Sequence, residues 1–299
     1  MKPDCDVIIV GAGMAGMTAA LWANRLGLSS IVLEAAAEPG GQLAGIQDKL
    51  IDFPGFSENG SDLAKTLYDQ VLRGNSKIQL ATPALKLDPA ACVIESNSGA
   101  VRGRAIVIST GLRRRRIPRL ESLSESFVFY TSQPRESFSG DRLLILGGGD
   151  GAVENALLLA RQWQKISLVH RSALRARPAL LAQLSQHSNV ETILNSTLEN
   201  IVGNRVEIQT PAGARDLVVD RILVKIGFEA DSSLIATLGY DSGTFARVSA
   251  EQELLYPDGK VVPQVWVAGD VCTRMDPSLV VAAGQACIAL RSIERQLRP

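Results

Sequence analysis

The run Val7-Ile8-Ile9-Val10-Gly11-Ala12-Gly13-Met14-Ala15-Gly16 decides the fold. Four apolar, β-branched residues read as a short buried strand. A Gly-x-Gly-x-x-Gly turn follows at once, and Met17 to Leu26 reads as a helix that Gly27 stops. A second apolar run, Ile31-Val32-Leu33, ends at Glu34. The glycine triplet alone is a weak signal. Strand, glycine turn, helix, strand and acid in succession form a dinucleotide-binding unit. Gly11 permits the tight turn, Gly13 lets a pyrophosphate approach the backbone, and Gly16 lets helix and strand pack closely. Ala15 belongs to the same turn, where free N–H groups and the helix dipole favour phosphate. Glu34 can accept hydrogen bonds from a ribose.

The pattern returns. Leu143 to Leu146 leads into Gly147-Gly148-Gly149-Asp150-Gly151-Ala152, with Ala152 in the place of the third glycine. Val153 to Gln164 reads as a helix and Ile166 to Val169 as the next strand. From Gly11 to Glu34 is 23 positions, and from Gly147 to His170 is again 23. His170 and Arg171 therefore stand where the first unit has its acid. An acid there selects a free 2′-hydroxyl, whereas cations suit a 2′-phosphate. The first site thus suits FAD and the second NADPH, with Arg171, Arg175 and Arg177 as candidate phosphate forks. The second motif also admits another FAD, or no ligand.

The expected architecture is α/β, with two Rossmann-like units, the second inserted in the first. Ile106 to Gly111 and Val265 to Asp270 read as further strands of the first unit. An FAD-binding domain would then comprise residues 1–117 and 230–299, and an NADPH-binding domain residues 118–229, with joints near Pro118 and Phe228-Glu229.

Composition narrows the classes. Thirty-one basic residues balance thirty-one acidic ones in 299, which argues against a nucleic-acid footprint. No apolar run approaches the roughly 20 residues that span a bilayer. The start lacks the pattern of a secretory signal. Four cysteines, at 5, 92, 272 and 287, show neither C-x-x-C nor zinc spacing. No metal site and a reducing, cytoplasmic setting are expected.

Taken together, Gly11 to Gly16, Gly40-Gly41-Gln42-Leu43, Phe53-Pro54-Gly55-Phe56, Ser109-Thr110-Gly111, Gly147 to Ala156, Val169-His170-Arg171 and Ala268-Gly269-Asp270-Val271 resemble the low-molecular-weight thioredoxin reductase family of flavoproteins. The resemblance covers nearly the whole chain. It implies FAD on the first unit and NADPH on the second. It places Thr110-Gly111 on the first unit's cofactor strand, Gly269-Asp270 against the ribityl and pyrophosphate part of FAD, and Gly41-Gln42 near the flavin ring. Gly147, Gly149, Asp150 and Ala152 would cradle the second nucleotide. It also implies a homodimer, and a domain rotation that makes the joints hinges.

One departure redirects the function. The family's C-x-x-C position falls on Tyr130-Thr131-Ser132-Gln133. Disulfide exchange needs an attacking and a resolving thiol, and neither is there. Tyr130, Phe138-Ser139-Gly140-Asp141-Arg142 and the following strand resemble ferredoxin/flavodoxin–NADP⁺ reductases of thioredoxin-reductase type, which also lack the dithiol. Asp52 matches an acid in that group. It either hydrogen-bonds the flavin edge or serves as a turn residue before Pro54. Those reductases extend past the last helix and carry a ring-stacking tyrosine after the Gly-Gln pair. This chain ends Leu297-Arg298-Pro299 and reads Gly45-Ile46-Gln47.

No catalytic acid or base stands out, and the histidines are His170 and His187. Arg113 to Arg116, with Arg119, would steer an acidic ferredoxin or flavodoxin, meet cofactor phosphates, or form a solvated hinge face. Cys272 is either a redox group near the ring or a packing residue. Three functions remain open: a ferredoxin-type NADPH oxidoreductase, a reductase of small acceptors such as quinone, ferric chelate or oxygen, and a redox sensor with little turnover.

Overall fold

The computed structural model describes residues 2–46, 49–130, 140–275 and 277–298. Thr131-Ser132-Gln133, Phe138, Ser139 and Gln47 lie outside the described residues.

The chain opens with β1 (Val7–Val10), α1 (Met14–Arg25) and β2 (Ser30–Leu33). Then come α2 (Gly60–Leu72), β3 (Ser76–Gln79), β4 (Ala84–Asp88), β5 (Val93–Ser96), β6 (Gly99–Arg102), β7 (Ala105–Ile108) and β8 (Leu112–Arg114). The middle holds β9 (Val128–Phe129), β10 (Gly140–Leu146), α3 (Asp150–Leu159), β11 (Trp163–His170), α4 (Pro178–Leu184) and β12 (Val190–Leu194). It continues through β13 (Thr197–Val202), β14 (Arg205–Thr210), β15 (Gly213–Val218) and β16 (Arg221–Val224). The last stretch is β17 (Phe228–Ala230), β18 (Glu253–Leu255), β19 (Val261–Val267) and α5 (Leu279–Leu297).

The fold divides into two units, 1–113 with 229–299, and 114–228. β8 and β17 pair as a two-stranded sheet, and the division falls within these two strands. Arg114 to Ile117, which the sequence reading attached to the first domain, belong to the second unit. There Arg114 stacks on Phe228 at 5.0 Å and the Arg115 N–H donates to the Gly227 carbonyl at 3.0 Å.

The first unit is a six-stranded sheet in the order β18-β19-β7-β1-β2-β3, parallel except for β18. Side chains alternate across a strand, so β1 feeds two cores. Val7 and Ile9 pack with α1, α2 and α5 residues such as Met17, Leu67 and Leu290. Ile8 and Val10 pack on the other face with Ile94 and Val101 of the β4-β5-β6 meander. All four are buried, as a strand covered on both sides requires.

The second unit repeats this plan. Its sheet runs β12-β11-β10-β16-β9, all parallel. Leu143 and Ile145 pack under α3 with Val153 and Ala156. Leu144 and Leu146 face Val206 and Ile208 of the β13-β14-β15 meander. In both sheets the strand order reverses beside the first strand, between β1 and β7 and between β10 and β16. Ligands of such sheets bind in the crevice beyond the carboxyl ends of the strands at that point.

Two helix boundaries differ from the sequence reading. α1 starts at Met14 rather than Met17, because Gly13 already serves as its N-cap. α3 ends at Leu159 rather than reaching Gln164, and Trp163 opens β11 instead. The Asn189 amide donates to the carbonyls of Ala160 at 2.7 Å and Trp163 at 2.9 Å. Those two carbonyls are thereby satisfied outside a helix, and periodicity carries no trace of a partner 29 residues away. Asn189→Ala removes both of these hydrogen bonds. It should lower unfolding stability by about 1–3 kcal/mol in denaturant titration, with α3 and β11 still formed by circular dichroism.

Candidate functional site

In the first unit the glycine turn is held by what surrounds it. Gly11 has φ 100°, and a Cβ there would come within 2.5 Å of the Ser109 carbonyl oxygen. Gly13, by contrast, faces open space, with nothing within 4 Å of its would-be Cβ. It caps α1 without a side chain, so the first-turn N–H groups point at the crevice. Glu34 directly follows β2, and its carboxylate accepts the Ala12 N–H at 2.6 Å and the Ala36 N–H at 2.8 Å. The acid expected to meet a ribose therefore also fixes the turn's backbone.

Other expected residues gather beside this turn. Gly41 has φ 53° and its would-be Cβ lies 3.3 Å from the Gly13 Cα. The would-be Cβ of Gly269 lies 2.9 Å from the Ala15 Cβ. The Gln42 amide donates to the Asp270 carboxylate at 3.3 Å, joining positions 228 residues apart. Burial raises the Asp270 pKa, and the Gln42 hydrogen bond partly offsets it. Gly16 packs tightly, its would-be Cβ only 1.8 Å from the Gly11 carbonyl oxygen. The Thr110 hydroxyl donates to the Asp231 carbonyl at 2.6 Å, and Gly111 takes φ 69°. Asp52 lies exposed in the turn before Pro54.

In the second unit the equivalent crevice is a cavity of about 590 Å³. Its floor is the Gly147-Gly148-Gly149 turn. Gly147 has φ 147° and would place a Cβ 2.2 Å from the Lys225 carbonyl oxygen, whereas Gly149 again faces open space as the N-cap of α3. Ala152 is buried and its Cβ lies 3.1 Å from the would-be Gly147 Cβ, so a methyl group fits where the first unit needs glycine. His170 is buried beneath Gly148, its ring 2.3 Å from where a Cβ would be. Its Nδ1 lies 3.0 Å from the Ser172 carbonyl oxygen. Arg171 and Arg175 line the cavity at this end, and the Arg175 N–H donates to the Gly148 carbonyl at 2.7 Å.

Arg177 does not join them. Its guanidinium pairs with Asp150 at 2.7 Å and Glu154 at 2.7 Å, so it secures the start of α3 and is already bidentate to protein acids. Asp150 accepts the Arg177 N–H as well, at 2.7 Å. Against the sequence expectation, Arg177 is held by carboxylates and does not line the cavity with Arg171 and Arg175.

The arginine run is also mostly engaged. Arg113 pairs with Glu229 at 2.8 Å and donates to Ser242 at 2.5 Å. Arg114 stacks on Phe228, and burial lowers its pKa. Arg116 lies over the Tyr130 ring at 5.1 Å. Arg119 donates to the Leu198 and Glu199 carbonyls. Arg115 is exposed at the cavity edge.

Lys225, Ile226 and Gly227 also line the cavity, beside Phe228 at the expected joint, and are not among the residues the sequence motifs assign to a nucleotide. A signal existed: Ile222 to Gly227 repeats the pattern of Ile106 to Gly111, an apolar strand followed by x-x-Gly. Both glycines take positive φ, 69° and 94°.

None of the four cysteines is disulfide-bonded: Cys5 and Cys92 are buried, and Cys272 and Cys287 are partly exposed. The Cys272 thiol donates to the Gly269 carbonyl at 3.2 Å, and burial pushes its pKa up to about 11. A thiol so protonated at neutral pH is a poor nucleophile. Packing is the role its geometry supports. Among the described residues no group of side chains is placed to hold a metal ion, and no helix is long and apolar enough to cross a membrane.

Residues 5–286 match the profile of the pyridine nucleotide-disulphide oxidoreductase family. The chain is 29% identical over 305 residues to the thioredoxin reductase of Bacillus subtilis (strain 168), covering 97% of this chain and 93% of that one. It superimposes on Lactococcus lactis thioredoxin reductase in its FR conformation with a TM-score of 0.86, at 22% identity and 98% of each chain. The bacillithiol disulfide reductase of Staphylococcus aureus superimposes with a TM-score of 0.81 at 14% identity, over 99% of this chain and 100% of that one. The two solved structures share the fold.

Two outcomes check this geometry. Gly149→Ala has room for its methyl group, so its melting temperature should stay within about 4 °C of the parent's while nucleotide affinity falls at least about tenfold, as a Cβ at the pyrophosphate approach requires. Cys272 should resist iodoacetamide at pH 8, with mass spectrometry finding it unmodified in the folded protein and modified after denaturation.

Proposed function

This chain belongs to the pyridine nucleotide-disulphide oxidoreductase family, and we propose that it moves electrons from NADPH through FAD to an external acceptor without a cysteine relay. It is an FAD-dependent oxidoreductase, thioredoxin reductase-like in fold, of a family that uses FAD and NADPH.

In this reading the first unit holds FAD and the inserted unit holds NADPH. The observation that carries it is the opposite charge at matched positions. Glu34 directly follows the second strand of one unit, whereas Arg171 and Arg175 follow the same strand of the other, just past His170, and line its cavity. The carboxylate keeps lone pairs for ribose hydroxyls after accepting two backbone N–H groups. The two guanidiniums supply forked donors for a 2′-phosphate. Gly13 and Gly149 leave the room a pyrophosphate needs. Bound FAD supplies hydride acceptance from NADPH, leaving NADP⁺, and onward transfer of one or two electrons. The chain's own work is to bind, orient and separate the two nucleotides.

The preferred acceptor is a ferredoxin or flavodoxin, supported by the missing C-x-x-C and by exposed Arg115 and Arg116. A small acceptor is the second reading. Arg113, Arg114 and Arg119 are committed to partners within the chain, which leaves a smaller cationic surface for an acidic protein. The free cysteines suit a cytoplasmic setting, and a homodimer is proposed by likeness to the relatives.

Anaerobic titration tests the whole scheme. The purified protein should show a flavin spectrum that NADPH bleaches, and slow or absent bleaching favours a sensor role. Arg171→Ala with Arg175→Ala should raise the NADPH KM at least about tenfold and leave the NADH KM nearly unchanged. Equal effects would remove the 2′-phosphate assignment. Ferredoxin reduction that falls with salt and with Arg115→Ala and Arg116→Ala supports the first acceptor. Turnover with quinone or ferric citrate alone supports the second.

A further inference from the structure

Lys225 is a charged residue of the second unit for which the scheme above has no use. It follows β16 and lines the same cavity as Arg171 and Arg175. It is half-buried, and no carboxylate among the described residues pairs with it. The charged group acting on it is another cation, Arg114, which also lines the cavity and is held by its stack on Phe228. Burial first, and Arg114 second, bring the Lys225 pKa down to about 8. The ammonium is therefore still mostly charged at neutral pH. A half-buried cation with no counter-ion is costly, so its position calls for a reason.

Topology says which part of a dinucleotide meets it. The two halves of such a ligand lie on either side of the point where strand order reverses. Here that point lies between β10 and β16. His170 ends β11, with Arg171 and Arg175 just after it, on one side, Lys225 and Phe228 follow β16 on the other, and the Gly147–Gly149 turn sits between. With the phosphorylated adenosine at the arginine end, the pyridine ring reaches the lysine end.

We propose that Lys225, backed by Arg114, reads the charge of the nicotinamide ring and favours the neutral dihydro form over the cationic oxidised form. The inference rests on the reading that the second unit holds NADPH, and it adds a direction: the donor is retained and the spent nucleotide is expelled. The phosphates are identical in NADPH and NADP⁺. Any attraction between Lys225 and phosphate therefore cancels in the ratio of their affinities. The ring differs by one full charge, and that difference alone remains.

The experiment uses oxidised, FAD-loaded protein and three ligands that cannot transfer hydride to it: NADP⁺, neutral 1,4,5,6-tetrahydro-NADP, and 2′,5′-ADP. Calorimetry gives each affinity for the parent, Lys225→Met and Lys225→Arg. The parent should bind the tetrahydro compound more tightly than NADP⁺. Lys225→Met should tighten NADP⁺ by roughly three- to tenfold, the size of one screened like-charge contact. The tetrahydro compound should stay within about twofold, as expected for a ligand with no ring charge, and 2′,5′-ADP should be unchanged. Lys225→Arg should keep the parent's ratio. Lys225→Gln gives the same readout if the methionine variant does not fold. An unaltered NADP⁺-to-tetrahydro ratio overturns the proposal. So does equal weakening of both, which would make Lys225 a phosphate ligand. A parent that binds none of the three ligands strikes the nucleotide reading of the second unit instead.

Discussion

Both units depend on one steric constraint. The chain leaving the central strand must pass the first carbonyl beyond the neighbouring strand with no room for a Cβ. At Gly11 the obstruction is the Ser109 carbonyl at 2.5 Å, and at Gly147 it is the Lys225 carbonyl at 2.2 Å. Both glycines also hold a positive φ that L side chains avoid. This close approach seats the turn beside the strand reversal. It aims the first-turn N–H groups of α1 and α3 into a crevice rather than into a neighbouring layer. Side chains from distant segments are useful only because that crevice already exists.

On this shared frame the units diverge in charge. Glu34 is a backbone clamp, since its two oxygens fasten Ala12 and Ala36, and it is also the acid proposed to meet a ribose. His170, at the matched position, instead packs under Gly148, and Arg171 and Arg175 line the cavity as the proposed recognition groups. In the proposed scheme that position carries structure and selectivity together in one unit and separates them in the other. The Gln42–Asp270 hydrogen bond has the same character, tying two segments that lie far apart in sequence beside the first crevice.

The chemistry that the chain omits is as specific as what it retains. Relatives named for disulfide reduction share its fold over nearly its whole length. Its four cysteines are nonetheless free, and burial raises the pKa of Cys5, Cys92 and Cys272. Thiols held protonated in apolar surroundings behave as small packing groups. Family membership and the absence of a relay are compatible because the nucleotide cradles and the dithiol are separate devices, and only the cradles are needed to hold a flavin and its donor.

Much of this was legible in the sequence because it is local. The strand–turn–helix–strand repeat, the glycine spacings and the 23-residue interval to Glu34 and His170 report backbone sterics and periodicity within a short segment. The fate of individual charges was not legible. Arg171 and Arg177 read alike in sequence, yet Asp150 and Glu154 neutralise one and the cavity exposes the other. The Ala160 and Trp163 carbonyls beyond α3 are met by Asn189, and among the described residues no acid pairs with Lys225, whose charged neighbour is Arg114. Short-range sterics write themselves into neighbouring residues. Electrostatic partners are chosen across the fold, so only the tertiary structure decided which charges stayed free to meet a ligand.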